Sequence, residues 1–205
     1  MPVPDSAALE RLLAAARENE SEALGRVLEM HRNYLTLLAR IQVGRRLQGK
    51  VDPADLVQDA FLDAHRQFPH FRGETAESVT AWLRRILAGQ IAHLVRRYYS
   101  VEARDVRLEQ SIEHELGSSS DWLARGVSNS GTSPSESAAR REELTRLADA
   151  LEQLSPDYRD VILFRQIENL PFAEVAARMG RTEDSVQKLW VRGLDALRKI
   201  LERES

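Results

Sequence analysis

The segment Leu170–Arg192, LPFAEVAARMGRTEDSVQKLWVR, has the pattern of two short helices joined by a tight turn. Apolar residues at helical spacing in its first half give one helix an inward-facing stripe. Gly180 follows, and glycine can end a helix at positive φ without a Cβ clash. Thr182 is a candidate N-cap for a second helix, because Glu183 and Asp184 then lie in a first turn that favours negative charge. The spacing predicts a helix-turn-helix.

The second helix of this motif has one apolar and one polar face. The side chains predicted to face the core are Val186, Leu189, Leu194 and Leu197. Those predicted to point outward, near enough to the N-terminus to reach base edges in a major groove, are Ser185, Gln187, Lys188, Val191 and Arg192. An αα-hairpin without any DNA function would share the turn and the apolar pattern, so the pattern alone leaves both interpretations open.

Composition limits the classes of protein to consider. The 205 residues have room for one medium domain or two small ones, and they contain no cysteine, which excludes disulfides and Cys-ligated zinc. No apolar run is long enough to span a bilayer and no signal-like segment opens the sequence, so we expect a cytoplasmic protein without a membrane segment. We find no H-E-x-x-H run, nucleophile elbow or Gly-rich phosphate loop and expect no catalytic, cofactor or metal site. A net charge of −3 requires any DNA-binding charge to be local.

Helical periodicity continues along the rest of the chain without strand alternation. We therefore predict an all-α fold of two small helical domains, residues 1–100 and 139–205, joined by a flexible linker at 101–138. The linker prediction depends on GSSSDWLARGVSNSGTSPSES at 117–137, which is rich in Gly, Ser, Asn and Pro. A weak amphipathic helix is predicted just before it, from the spacing of Leu108, Ile112 and Leu116. Nearer the N-terminus, Ser21 is predicted to cap one helix that continues through Leu38.

The helix that opens at Asp52–Pro53 has an unexplained acidic face. Asp55, Asp59 and Asp63 are each four residues from the next, a spacing that costs an isolated helix a few tenths of a kcal/mol per pair. Capping and the helix dipole account for Asp52 and Asp55, but Asp59 lies too far along the helix. This face is either simply solvated or a docking surface for a basic partner, with Leu62 as its apolar contact.

A loop and a basic helix follow. The loop, Gln67–Glu77, contains Phe71 and Arg72, which can stack on or cradle an unpaired base, although aromatic rings in a loop also commonly pack onto a core. The helix predicted over Thr80–Tyr99 has no acid between Arg84 and Arg97. Such local positive charge suits phosphate binding, and a membrane surface or an acidic protein would use the same charges. Its tryptophan is predicted to lie in the core.

In this order the parts resemble an extracytoplasmic-function (ECF) type sigma factor of the sigma-70 family, in the planctomycete-like subgroup with a long linker. The resemblance covers nearly the whole chain and rests on three pieces. These are DPADLVQDAFLDA at 52–64, AWLRRI at 81–86, and LPFAEVAARMGRTEDSVQKLWVRGLDALRKIL at 170–201. Gly89 and His93 stand where the family often carries Asn and Asp.

The resemblance implies an alternative-type sigma factor that binds core RNA polymerase and directs promoter-specific transcription initiation, without enzymatic activity of its own. Residues 1–100 would form region 2, 139–205 would form region 4, and the linker would thread toward the RNA exit path. Binding to the β′ clamp helices is implied for Asp55, Gln58, Asp59 and Leu62. Contact with single-stranded −10 DNA is implied for Phe71, Arg72, Arg84, Arg85, Arg96 and Arg97. Contact with the duplex −35 element is implied for Ser185, Gln187, Lys188 and Arg192.

Two further points remain open from sequence. An anti-sigma factor is a candidate partner in addition to the polymerase and promoter DNA. A stand-alone helix-turn-helix regulator, whose first domain senses a ligand or dimerises, is the alternative function.

Overall fold

The computed structural model describes residues 6–18, 21–46, 51–99, 106–127 and 134–203. All regular structure in these ranges is helical, which confirms the predicted all-α class. The chain divides after Leu144 into two compact units, here called the first and the second unit. Within the described ranges, no helix combines the length and the apolarity that crossing a membrane requires.

The first unit is built around its third helix. Leu35 and Leu38 on that helix are fully buried, and neighbouring helices pack against it from several sides. The helices are α1 (Ser6–Arg17), α2 (Ser21–Met30), α3 (Arg32–Arg46), α4 (Pro53–Gln67), α5 (Ala76–Tyr99) and α6 (Val106–Val127).

The helix predicted to run from Ser21 through Leu38 is interrupted at His31, so that prediction is wrong. The imidazole Nδ1 donates to Val27 O at 2.8 Å, the carbonyl that the His31 amide would use in a continuous helix. The amide instead donates to Leu28 O at 3.0 Å, which tightens the chain into a turn. A buried side chain thus replaces one backbone bond and separates α2 from α3.

The weak amphipathic helix predicted from Leu108, Ile112 and Leu116 is confirmed as the first half of α6, whereas the flexible linker predicted at 101–138 is wrong over the second half of that helix. This helix continues through the Gly/Ser-rich segment to Val127, and another helix, α7 (Pro134–Gln153), begins before the predicted linker ends. Ile112 and Leu116 are fully buried, and α6 packs along α5. Because apolar residues at i and i+4 are buried against a neighbour, a segment of weak intrinsic preference is helical. Residues 101–105 and 128–133 of the predicted linker lie outside the described ranges.

The start of α5 also differs from the prediction, because the helix begins at Ala76 and not at Thr80. Thr75 and Ser78 cap it reciprocally: the Ser78 amide donates to Thr75 Oγ1 at 3.2 Å, and the Thr75 amide donates to Ser78 Oγ at 3.1 Å. The loop before α5 is correspondingly shorter, and it contains a single 3₁₀ turn at Phe68–His70.

The second unit follows Leu144, which lies within α7. Its later helices are α8 (Pro156–Ile162), α9 (Phe172–Met179) and α10 (Glu183–Arg203), with a π-helical turn at Leu163–Ile167 after α8. Val186 and Leu197 on α10 are buried, as the apolar pattern predicted. Gly193 allows α10 to approach α8 closely, since an added Cβ would lie 3.3 Å from both Tyr158 O and Ile162 Cδ1. The core of this unit therefore supports α10 from behind.

Candidate nucleic-acid interface

The turn between α9 and α10 has the geometry of a helix-turn-helix. Gly180 ends α9 in the left-handed conformation, with φ 61° and ψ 35°. The Arg181 amide donates to Ala176 O at 3.0 Å, and the Ser185 amide donates to Thr182 Oγ1 at 3.3 Å. The glycine C-cap and the threonine N-cap predicted from the sequence are thus confirmed.

One face of α10 is open to solvent. Gln187, Lys188 and Arg192 are exposed as predicted, whereas Ser185 is half-buried. Lys188 Nζ lies 2.6 Å from Asp184 Oδ2, one helical turn earlier, and both side chains are largely exposed. This ion pair is weak in water, so the ammonium group is available to a stronger anionic partner such as a phosphate.

An aromatic contact joins the two helices of the motif, and the sequence analysis missed it. The Trp190 ring packs edge-on against Phe172, with centroids 5.7 Å apart. The Arg165 guanidinium covers the same Phe172 ring at 4.9 Å. The available signal was the position of Trp190 beside the apolar stripe of α10, four residues after Val186.

Two ion pairs hold the motif in the second unit. Arg178 Nη1 lies 2.7 Å from Glu168 Oε2, whose side chain is almost fully buried. Arg181 Nη2 lies 2.6 Å from Asp157 Oδ2 at the start of α8. These two arginines therefore position the helix-turn-helix and are distinct from the outward-facing cations of α10.

In the first unit, α4 presents an exposed acidic face with an apolar side chain at its C-terminal end. Asp52 caps the helix, its Oδ1 accepting from the Ala54 amide at 2.8 Å. The buried side of the helix consists of Leu56, Val57, Ala60, Phe61 and Ala64. The opposite side holds the four residues predicted to dock on a partner, Asp55, Gln58, Asp59 and Leu62, all of them exposed. Leu62 is 48% exposed.

Asp63 does not belong to that face. Its Oδ1 accepts from Arg66 Nη1 at 2.9 Å, and its Oδ2 accepts from the side-chain Nε2 of Gln90 on α5. The third acid of the spaced series therefore links α4 to α5, which leaves Asp55 and Asp59 as the acids of the open face.

A groove of about 810 Å³ lies between the loop after α4 and the outer side of α5. Phe71 stacks on Trp82 with centroids 4.4 Å apart and ring planes at 20°, and Phe68 lies behind Trp82 at 6.2 Å. Both Phe71 and Trp82 keep part of their surface exposed. Trp82 therefore lines the groove with one side, so the prediction that it lies in the core is wrong in part.

Only half of the residues predicted to contact −10 DNA meet at this groove. Phe71, Arg72 and Arg85 line it. Arg84 and Arg96 are half-buried elsewhere on α5, and Arg97 is exposed near the end of that helix. His70 and His93, which are exposed, also line the groove.

Arginine side chains hold the loop that carries Phe71 by donating to its backbone carbonyl groups. Arg72 Nη1 donates to Pro69 O at 2.8 Å, and Arg17 Nη2 of α1 donates to Gly73 O. A Cβ at Gly73 would collide with the Phe71 ring and with the Ser78 side chain. Gly73 is thus a positioning residue for the ring that the sequence analysis did not identify.

Helix α6 brings acidic side chains to the same groove. Arg85 Nε lies 3.2 Å from Glu113 Oε1, and Glu109 lines the groove beside Gly89. The basic stretch of α5 has no acid in its own sequence, yet an acid from another helix faces it. Sequence periodicity along α5 alone could not reveal this pairing.

Comparison with known proteins decides the family. The family model described as Sigma-70 region 2 matches residues 30–100, and the one described as Sigma-70, region 4 matches residues 144–197. The chain is 30% identical over 197 residues to the RNA polymerase sigma factor CnrH of Cupriavidus metallidurans, a match that covers 96% of each protein. The chain belongs to the sigma-70 family.

Within that family it is an ECF sigma factor. It is 25% identical over 198 residues to the ECF RNA polymerase sigma factor BldN of Streptomyces coelicolor, covering 96% of this chain and 67% of BldN. It is 26% identical over 156 residues to the ECF sigma factor SigX of Bacillus subtilis, covering 76% and 74%. As an alternative sigma factor, it directs transcription initiation. Among solved structures, CnrH in complex with the cytosolic domain of CnrY is 24% identical, with a TM-score of 0.34, and covers 96% of this chain and 98% of CnrH.

Proposed function

We propose that the two units of this sigma factor divide the work of initiation. The first unit binds core RNA polymerase and holds the single-stranded −10 element. This unit extends to Leu144 and includes the domain expected at 1–100. The second unit, in place of the domain expected at 139–205, binds the duplex −35 element. The observation that carries the proposal is the exposed acidic face of α4, because neither the fold of α4 nor its capping accounts for Asp59 on that face.

The α4 face is suited to a basic helical surface such as the β′ clamp helices. Asp55 and Asp59 lie one turn apart, and Leu62 adds an exposed apolar contact near them. Keeping two like charges at this spacing costs the isolated helix free energy, which a basic partner would recover. Leu62 would be buried in such a contact, and burial of a leucine is favourable.

The groove of the first unit is suited to unpaired bases. Single-stranded nucleic acid is bound by aromatic platforms together with cations that follow the backbone. The stacked Phe71 and Trp82 rings supply the platform, and Arg72 and Arg85 supply the cations at its edge. Arg84, Arg96 and Arg97 extend positive charge along α5 and are assigned to phosphates of the same strand.

The outward face of α10 is suited to a major groove. Gln187, Lys188 and Arg192 are exposed in its first three turns, and the helix is supported behind by buried Val186 and Gly193. Ser185 is half-buried at the helix start and is assigned to a phosphate contact near the helix N-terminus. Arginine pairs with guanine and glutamine with adenine, so this face can discriminate bases.

The test of the α4 assignment is charge reversal on its open face. Asp59→Arg leaves the fold intact within about 0.5 kcal/mol, since Asp59 is exposed. We expect it to weaken binding to core polymerase about 30-fold, the equivalent of about 2 kcal/mol. The matched control is Glu18→Arg, which reverses an exposed acid just after α1. Equal core affinity of the two variants at matched salt would contradict the proposed docking face.

Other features remain predictions of the family resemblance. They are membership of the planctomycete-like subgroup, binding of an anti-sigma factor, a cytoplasmic location, and a path for the segment between the units toward the RNA exit path.

A further inference from the structure

Val191 stands out on the surface of the second unit. This residue is 59% exposed, and among the residues whose burial the structure describes only two other large apolar residues, Leu62 and Tyr98, are similarly open. Leu62 belongs to the proposed docking face of α4. Val191 instead lies on α10, among the polar residues assigned to the −35 element.

Val191 lies on the outward face of α10. At about 100° per residue, Val191 lies on the side opposite Val186, Gly193 and Leu197, which are buried. Gln187 and Lys188 lie one turn before it on the same face, and Arg192 lies on its flank. The centre of the face that would enter a major groove is therefore apolar, with polar groups around it.

Helix formation does not explain a valine there. A β-branched residue has a lower helix propensity than the alanine, lysine or glutamate common on solvated helix faces. Its exposure also means that little stability comes from core packing. Single exposed apolar residues are ordinary on protein surfaces, so exposure alone would carry no inference. Val191, however, lies among the residues of α10 assigned to DNA, where an apolar side chain has an apolar group of a base as its complement.

We infer that Val191 reads the C5-methyl group of a thymine in the −35 element. The inference rests on the proposed binding of that element by α10. In the major groove only thymine presents a methyl group, and an apolar side chain is its complement. The ammonium group of nearby Lys188 lies 2.6 Å from Asp184, one turn toward the N-terminal end of the helix. Val191 would thus add specificity for thymine to the hydrogen bonds made by Gln187 and Arg192.

The experiment removes the thymine methyl group and the γ-methyl groups of Val191 in turn. The full chain, assembled with core RNA polymerase, is first given a randomised −35 library to define its preferred element. Each thymine of that element, on either strand, is then replaced by deoxyuridine, which lacks only the methyl group. Affinity is measured for the parent, for Val191→Ala and for the control Arg198→Ala, which lies about two turns further along the same face with its side chain 68% exposed.

We expect one deoxyuridine position to weaken binding by the parent about fourfold, which is the value of one buried methyl-sized group. Val191→Ala should show no further loss at that position, and Arg198→Ala should retain the whole loss. Val191→Thr, which keeps one γ-methyl, should retain part of it. Additive losses for Val191→Ala and deoxyuridine at every position would overturn the inference, and so would a preferred element without thymine on either strand.

Failure of this inference is distinguishable from failure of the proposed −35 binding. If α10 binds the element but Val191 reads no methyl, Arg192→Ala still changes the selected −35 sequence. If α10 does not bind it, neither Arg192→Ala nor Val191→Ala changes the selection. A loss of core affinity without DNA in Val191→Ala would assign the residue to a polymerase contact and also overturn the inference.

Discussion

His31 shows how one buried polar side chain shapes the first unit. Its Nδ1 donates to Val27 O, so Nδ1 carries the proton of the neutral ring. Its Nε2 lies 3.3 Å from Thr80 Oγ1 on α5, which connects the α2–α3 turn to that helix. Burial disfavours the imidazolium and lowers the pKa of His31 below its ordinary value, with the Val27 contact opposing this effect.

The lowered pKa predicts a loss of stability in acid. Below about pH 6.5 the unfolded chain protonates this histidine while the folded chain does not, so the free energy of unfolding falls until the pH reaches the folded pKa. Above about pH 6.5 neither state binds the proton and the contribution is constant. His31→Gln, whose amide can also donate to Val27 O, should remove this dependence. Urea unfolding gives the free energy of unfolding of the parent and of His31→Gln at each pH between about 5 and 8. The same change of that free energy with pH in both proteins would contradict the assignment.

At the scale of single residues, helix caps could be predicted from the sequence, whereas contacts between residues on different helices could not. Gly180 and Thr182 could be assigned from sequence because a positive φ and an N-cap each favour few residue types. The residues next to His31 in the sequence do not distinguish it from an exposed histidine. The residues next to Gly193 in the sequence likewise do not indicate that α8 packs against it. Trp190 was missed for the same reason, since its partner Phe172 lies on a different helix.

The element whose role differs most from its sequence pattern is α6. Its Gly/Ser-rich half led to a linker prediction, but Ile112 and Leu116 attach it to α5. By contrast, α4 was predictable along its whole length, because it carries a cap, a proline at its first position and a continuous apolar stripe. Composition rules describe a segment alone and do not include a neighbour that buries two of its side chains.

Because Glu113 of α6 pairs with Arg85, we expect that carboxylate to compete with DNA phosphates for the Arg85 guanidinium. Glu113→Gln should cost little stability, because the Arg85 side chain is largely exposed and the Glu113 side chain is partly exposed to water. The free chain should then bind a single-stranded −10 oligonucleotide more tightly, with a log–log salt slope steeper by about 0.7 for one added phosphate contact. The control is Glu115→Gln, which removes the same charge from a side chain that accepts from Ser111 on its own helix. Equal binding by the two variants would mean that Glu113 does not restrain Arg85.

At the scale of the whole molecule, a negative net charge is combined with local clusters of arginine and lysine. The net charge is −3, so the chain as a whole does not attract DNA, and binding must depend on a few cations. That conclusion and the two-part helical organisation could be reached from sequence, because both follow from composition and periodicity. Which half of the predicted −10 residues would share a groove could not, since it depends on how the loop after α4 folds against α5.

The final prediction concerns the cations that lie outside the groove. If Arg96 and Arg97 contact phosphates, replacing both by alanine should weaken open-complex formation by the holoenzyme at all promoters alike. Each lost contact should reduce the log–log salt slope by about 0.7–0.9, or about 1.4–1.8 for both. The control is Arg198→Ala with Lys199→Ala, which changes the net charge equally but removes cations already paired with Asp195. Measured over a range of KCl concentrations, a slope that falls only for the Arg96/Arg97 variant supports phosphate contact. An unchanged slope would place those two arginines on a solvated helix end, and a loss that differs between promoters would make them base readers.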